Sequence, residues 1–402
     1  MYTLTHFLLL SDIHIAMRFG SLYDAGDNSV QQDIIEFATT TLLNSPPSNI
    51  TEPSEHQTLA CLAQRIPLEF YSVTYNSQAR EREQVERHMR VYLKVDSNFE
   101  SMVTMSPSEP LLSEAAYGIM TRPSFNVPKA MKSVINGFSI HKGDRGEFLV
   151  MLLFTIAHDK VVGPPNRHGA PITRIVNVAE FLNEGLFRNP IPHLSEDFPD
   201  ANMHFNHYIK VHEAAVIGSQ YLLLLLSRGA GLLCANSQLA IDGINPFLSK
   251  GTELGYENLG LILWQSKNDP AFTDKPQQEL FDAVDVYKLK VLKKHDAAIP
   301  LIKIIFALAA EKPSCIVNRV AASPSCYNAI VYQVWCAGIT SDKLNAVEPS
   351  EEPLWLALLQ ASYGWQTIYE GELVEQELRR SMNPGAATDN SHWTRWANID
   401  DG

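Results

Sequence analysis

The stretch LGLILWQSKND, residues 259–269, decides the fold. Leu259 to Trp264 is a short, almost unbroken apolar run, the pattern of a strand buried on both faces. It runs straight into Gln265, Ser266, Lys267, Asn268 and Asp269. Residues two apart on a strand face the same side, so Gln265 and Lys267 point one way. Upstream, AGLLCA (230–235) and LAIDGINPF (239–247) are two more short apolar segments, separated by Asn, Ser and Gly. The three read as consecutive strands. Asp242 interrupts the second one, where a neighbouring strand can bring it beside Gln265 and Lys267.

Further out, NMHFNHYIKVHEAAVIGSQYLLLLLSRG (202–229) reads as a long helical region stopped by Gly229. PQQELFDAVDVYKLKVLKKHD (276–296) has helical spacing, and IPLIKIIFALAA (299–310) and NAIVYQVWCAGI (328–339) are further buried strands. The order from 202 onward is helix, three strands, helix, then one or two strands, which gives an α/β protein with a mixed sheet between helices. GDRGEFLVMLLFTIAHD (143–159) is a buried helix, ITRIVNVAEFLNEGLF an amphipathic helical segment, AREREQVERHMRVYL (79–93) a charged helix and EPLWLALLQASY (352–363) a C-terminal helix. SPPSNITEPSEH, at 45–56, is a loop. Three regions are expected. Residues 1–140 are a mixed, largely helical part, and 141–345 a helical lead-in to an α/β core at about 210–310. Residues 346–402 are a helix and a tail that turns polar from Asn383.

A carboxylate, a second oxygen ligand and a lysine on one sheet face suit metal-assisted phosphodiester hydrolysis. Here the sequence resembles the PD-(D/E)XK nuclease superfamily, with its restriction-endonuclease-like α-β-β-β-α-β core. Asp242 matches the acid of the second strand, and Gln265-Ser266-Lys267 the acid-x-Lys triplet of the third. No other Asp, Glu or Gln in the chain is followed two residues later by Lys. The resemblance implies Mg²⁺ or Mn²⁺ held by Asp242, Gln265 and the main-chain carbonyl of Ser266. It further implies Lys267 assisting the attacking water, an accessory helix acid at Glu213, and nucleic acid, DNA in the first instance, as substrate. Gln265 stands where the superfamily prefers an acid, which leaves open a protein that keeps the fold and only binds partners. The segments RGEF, MHFNHYIK, RGAGLL and QSKND also look like a large family of fungal proteins with no established activity.

The chain is acidic, with a net charge of −13, so nucleic acid would have to meet a local basic surface. Lys288, Lys290, Lys293 and Lys294 form the densest basic cluster, on the expected helix after the third strand. They either contact a phosphate backbone or simply solvate a helix end. Five scattered cysteines without a CxxC fit a reducing intracellular compartment, nuclear or cytoplasmic. No apolar run approaches the ~20 residues of a membrane span. Two other motifs are weaker. Asp12-Ile13-His14 opens like a metallophosphoesterase but lacks that family's later motifs. His204, His207, His212 and Glu213 offer zinc-type ligands without an HExxH spacing.

Overall fold

The computed structural model describes residues 28–70, 75–96, 102–137, 144–163, 174–236, 238–251, 253–293, 299–321 and 329–362. Asp12–His14, Lys294 and the polar tail from Asn383 lie outside these residues.

Helices dominate the first half: α1 (Asn28–Leu43), α2 (Glu55–Arg65), α3 (Tyr75–Arg87), α4 (Pro110–Met120), α5 (Val127–Gly137) and α6 (Asp144–Val162). A hairpin, β1 (Val91–Val95) with β2 (Met102–Met105), interrupts them. Local chemistry sets several boundaries. Ser54 and Gln57 form a reciprocal capping box that starts α2. The Glu109 carboxylate accepts from the Leu112 N–H, and Pro110 occupies the first turn of α4. The charged helix expected to reach residue 93 ends at Arg87 instead. Met89 adopts a φ of 60°, and the β-favouring VYLKV takes over as β1.

The second half carries β3 (Val176–Asn177), β4 (Asn202–Met203), β5 (His207–Lys210), α7 (Ser219–Ser227), β6 (Ala230–Leu233), β7 (Gly243–Leu248) and β8 (Leu259–Lys267). It finishes with α8 (Gln278–Ala283), β9 (Leu301–Ala307), β10 (Ser314–Val320), β11 (Val331–Ala337) and α9 (Glu352–Ser362). The long helix expected at 202–229 is therefore two short strands and a nine-residue helix. Only the leucine run is α-helical, because HYIK pairs in parallel with β6. Likewise, residues 174–187 form β3, a short helical turn and a π-turn at Phe181–Leu186. The expected helix at 276–296 shrinks to α8. Asp285 Oδ1 accepts from the N–H groups of Tyr287 and Lys288, and this side-chain turn ends the helical path.

The protein is mixed α/β. β6, β7 and β8 form an antiparallel meander, β9 joins β8 in parallel after α8, and β11 and β10 extend the sheet beyond β9. On its other edge β7 meets both β6, which carries β5, and β4, which carries β3. Side chains alternate cleanly. Ile262, Trp264, Ile304, Phe306 and Val334 join a core that includes Phe148–Phe154 of α6 and residues of α1, α2 and α4. Leu261, Leu263, Leu301 and Val331 face the opposite side, with Leu222 and Leu225 of α7. The sheet is thus buried on both faces, which is why β8 reads as a continuous apolar run. No helix among the described residues is long and apolar enough to cross a membrane.

Candidate functional site

Asp242 immediately precedes β7, yet its backbone is tied on both sides. Its N–H donates to Trp264 O at 2.9 Å, and its carbonyl accepts from Cys234 N at 2.8 Å. The register pairs Gly243 with Trp264, so Asp242 lies across from Gln265. Asp242 Oδ2 accepts two hydrogen bonds, from Ser266 N and from Ser266 Oγ, both at 2.7 Å. Among the described residues no hydrogen bond falls on Oδ1. Burial raises the Asp242 pKa above the ordinary carboxylate value, against the two Ser266 bonds and the charge of Lys267, which lower it.

Gln265 and Lys267 share one sheet face, in register with Ile305 and Ala307. Gln265 is 6% exposed, and its Oε1 is buried with no hydrogen-bond partner among the described residues. A carbonyl oxygen in that condition is costly to leave unmet and suits a cation or a donor. The Lys267 Nζ lies 5.6 Å from the Phe272 ring centroid, and no carboxylate among the described residues pairs with it. The sequence thus brings Asp242, Gln265, Ser266 and Lys267 together at one strand end, with Asp242 turned toward Ser266.

Glu213 does not join them. It is exposed, in an irregular stretch before a short 3₁₀ turn, and two strands, β6 and β7, intervene between β5 and β8. The helix that packs on the end of β8 is α6. A Cβ on Gly146 would lie 3.4 Å from Ser266 Oγ and 3.3 Å from Asn268 Cβ. The next residue, Glu147, acts on the same buried thiol as Asp242. After burial itself, these two negative charges push the Cys234 pKa up. Glu147 is an acid near this strand end that sequence reading did not single out. Its signal was RGEF, at the start of a helix whose partner strand was not yet known.

The lysine cluster lies elsewhere. Lys288, Lys290 and Lys293 are exposed on the turn after α8, which packs through Val291 and Leu292 against Leu259 and Leu301. That is where β8 and β9 begin, whereas Gln265 and Lys267 are where β8 ends. The separation is about six strand residues, on the order of 20 Å. The histidines do not converge as a zinc site. His212 is exposed near Glu69, His204 Nδ1 contacts Arg174 O at 3.2 Å, and His207 is bonded to Ser108 and Asn206. Among the described residues no group of three or more His, Cys, Asp or Glu could hold a metal ion.

Residues 52–231 match the family described as a domain of unknown function (DUF8736). The matched segment ends before Asp242. No curated protein and no solved structure matches the chain.

Proposed function

We propose that the end of β8 is a metal-dependent phosphodiester-hydrolysing site of the PD-(D/E)XK kind, acting on nucleic acid. One observation carries the reading: Asp242 feels the charge of Lys267, and Gln265, across from it in the register, has a buried Oε1 with no hydrogen-bond partner among the described residues. The meander of β6, β7 and β8, followed by α8 and a parallel β9, supports it with the expected order of strands. Asp242, Gln265 and the Ser266 carbonyl would hold Mg²⁺ or Mn²⁺, with Glu147 of α6 in the accessory place first given to Glu213. Such an ion would polarise the phosphate and supply hydroxide at neutral pH. Lys267 stabilises the charge that develops on the phosphate. A duplex long enough to span the sheet would also reach Lys288, Lys290 and Lys293.

The test is cleavage of plasmid and single-stranded DNA with Mg²⁺ or Mn²⁺ and with chelator. Cleavage should need the metal and fall at least ~100-fold in Asp242→Ala and in Lys267→Ala. Cleavage that survives both substitutions removes the assignment. Gln265→Glu adds a charged ligand, so Mg²⁺ should raise its melting temperature more than that of the wild type.

A second reading has its own observation. Both hydrogen bonds that Ser266 gives Asp242 are those of a carboxylate fixing a strand end. On that reading the protein keeps the fold and only binds partners. Metal then leaves both cleavage and melting temperature unchanged.

A further inference from the structure

A second constellation lies on the far branch of the sheet, at β5, and is independent of the β8 site. Ser108 stands just before α4. Its Oγ is 2.7 Å from Nε2 of His207, the first residue of β5. His207 Nδ1 is 2.6 Å from Asn206 Oδ1. The far end of the chain fixes the direction of each bond. Asn206 Nδ2 donates at 2.7 Å to Glu114 Oε1, and a carboxylate only accepts. Glu114 is in turn paired with Arg174. Asn206 therefore turns its oxygen to His207, Nδ1 carries the proton, and Nε2 offers its lone pair to Ser108 Oγ–H.

The surroundings hold this geometry still. Asn206 N–H donates to Gly229 O at 2.8 Å, and its carbonyl accepts from Arg65 Nε at 2.8 Å. Arg228 Nη2 donates to Ser108 O, and Gln64 Nε2 to Pro107 O at 2.9 Å. Burial, then the charges of Arg228, His204 and Arg65, push the His207 pKa down to about 3, so the ring is neutral at ordinary pH. Ser108 and His207 both line a cavity of about 790 Å³. Leu68, Leu93, Val103, Met105 and Ile209 give it apolar walls. That volume is in the range of small-molecule sites.

We propose that Ser108, His207 and Asn206 form a nucleophile, base and positioning residue that cleave carboxylic esters with an apolar acyl group. Ser108 Oγ attacks the carbonyl carbon as its proton passes to His207 Nε2. The tetrahedral anion forms beside Arg228, whose Nε is 3.4 Å from Oγ. The C–O bond to the alcohol breaks, and the leaving oxygen takes the proton from Nε2. Water then attacks the acyl-serine, gives its proton to Nε2, and the acid leaves as Ser108 recovers its own. Asn206 acts through His207 by fixing its tautomer. A base this weak makes turnover slow, so the covalent adduct is the better readout.

The test is intact-mass spectrometry and peptide mapping of the full chain after incubation with an alkyl fluorophosphonate. One adduct is expected, on Ser108, absent in Ser108→Ala and formed at least 100-fold more slowly in His207→Gln. The pair Glu114→Gln with Asn206→Asp keeps the chain of hydrogen bonds but moves the carboxylate onto the imidazole. It should label at least tenfold faster than wild type, a gain that a merely structural network does not give. Wild-type protein that takes no adduct on Ser108 overturns the proposal, as does labelling unchanged in His207→Gln. Ser108→Ala, which removes one oxygen, remains decisive should a His207 variant fail to fold. DNA cleavage plays no part in these readouts, so the two sites stand or fall separately.

Discussion

At Asp242, burial and its partners pull in opposite directions, and burial wins. The folded state therefore binds this proton more tightly than the unfolded chain does. Asp242 contributes stability that is full below the ordinary carboxylate pKa and lost as pH rises through the raised one. Asp242→Asn should remove that slope, measured as melting temperature against pH. Parallel curves for the two proteins would sink this account. Ser266→Ala deletes the Oγ donor and should move the window to higher pH. On the proposed metal site the same proton would compete with the cation for Asp242, so metal binding measured by calorimetry should weaken on acidification sooner in Ser266→Ala. That Asp242 would lie across from Gln265 was legible in the sequence, because a polar residue in an apolar run stands out. Glu147, the proposed accessory acid, was not legible in the sequence. One acid in the first turn of a helix says nothing until the strand under that helix is known. Ser108 and His207, 99 positions apart, left no signal as a pair, and His207 was read only among zinc-type ligands.

At the scale of elements, β8 was read to its residue limits, since burial on both faces writes an unambiguous run. β10 was not, because an outer strand reading SCIVNRV is half polar. The false helix at 202–229 arose because the leucines of α7 impose their character on the strands before them. β7 depends on a small residue at its first position. A Cβ on Gly243 would overlap the Trp264 ring and lie 2.6 Å from Leu232 O. Neither can give way easily, because Trp264 is 1% exposed and its Nε1 donates to Asn245 Oδ1 at 3.0 Å. Gly243→Ala should therefore cost about 1–3 kcal/mol in urea unfolding, the range of core overpacking. On the proposed metal site it should also weaken the response of the neighbouring Asp242 to metal. A neutral result would mean that the strand end is looser than its hydrogen bonds indicate.

Over the whole molecule, the sequence suggested a boundary near residue 140, but the largest core does not respect it. One apolar cluster joins Leu42, Leu62 and Ile119 to Phe154, Trp264 and Trp355. At its heart is an ion pair. Arg65, fully buried at the end of α2, meets Asp159 of α6 through two bonds of 2.5 and 2.8 Å. Its Nε also holds Asn206 O, just ahead of β5. Three parts of the chain thus share one guanidinium. No hydrophobic pattern encodes such a tie, which is why the sequence showed a charged residue and not a joint. Removing one partner strands a buried charge, so Arg65→Met or Asp159→Leu alone should cost about 3–5 kcal/mol. The double variant should lose much less than the sum, because neither charge is then left unpaired. Chemical denaturation of the four proteins measures the coupling, and additive losses would mean that the pair does not act as a unit. The double variant also separates fold from geometry. It should stay folded yet label more slowly at Ser108, since Asn206 loses the anchor that holds His207 in place.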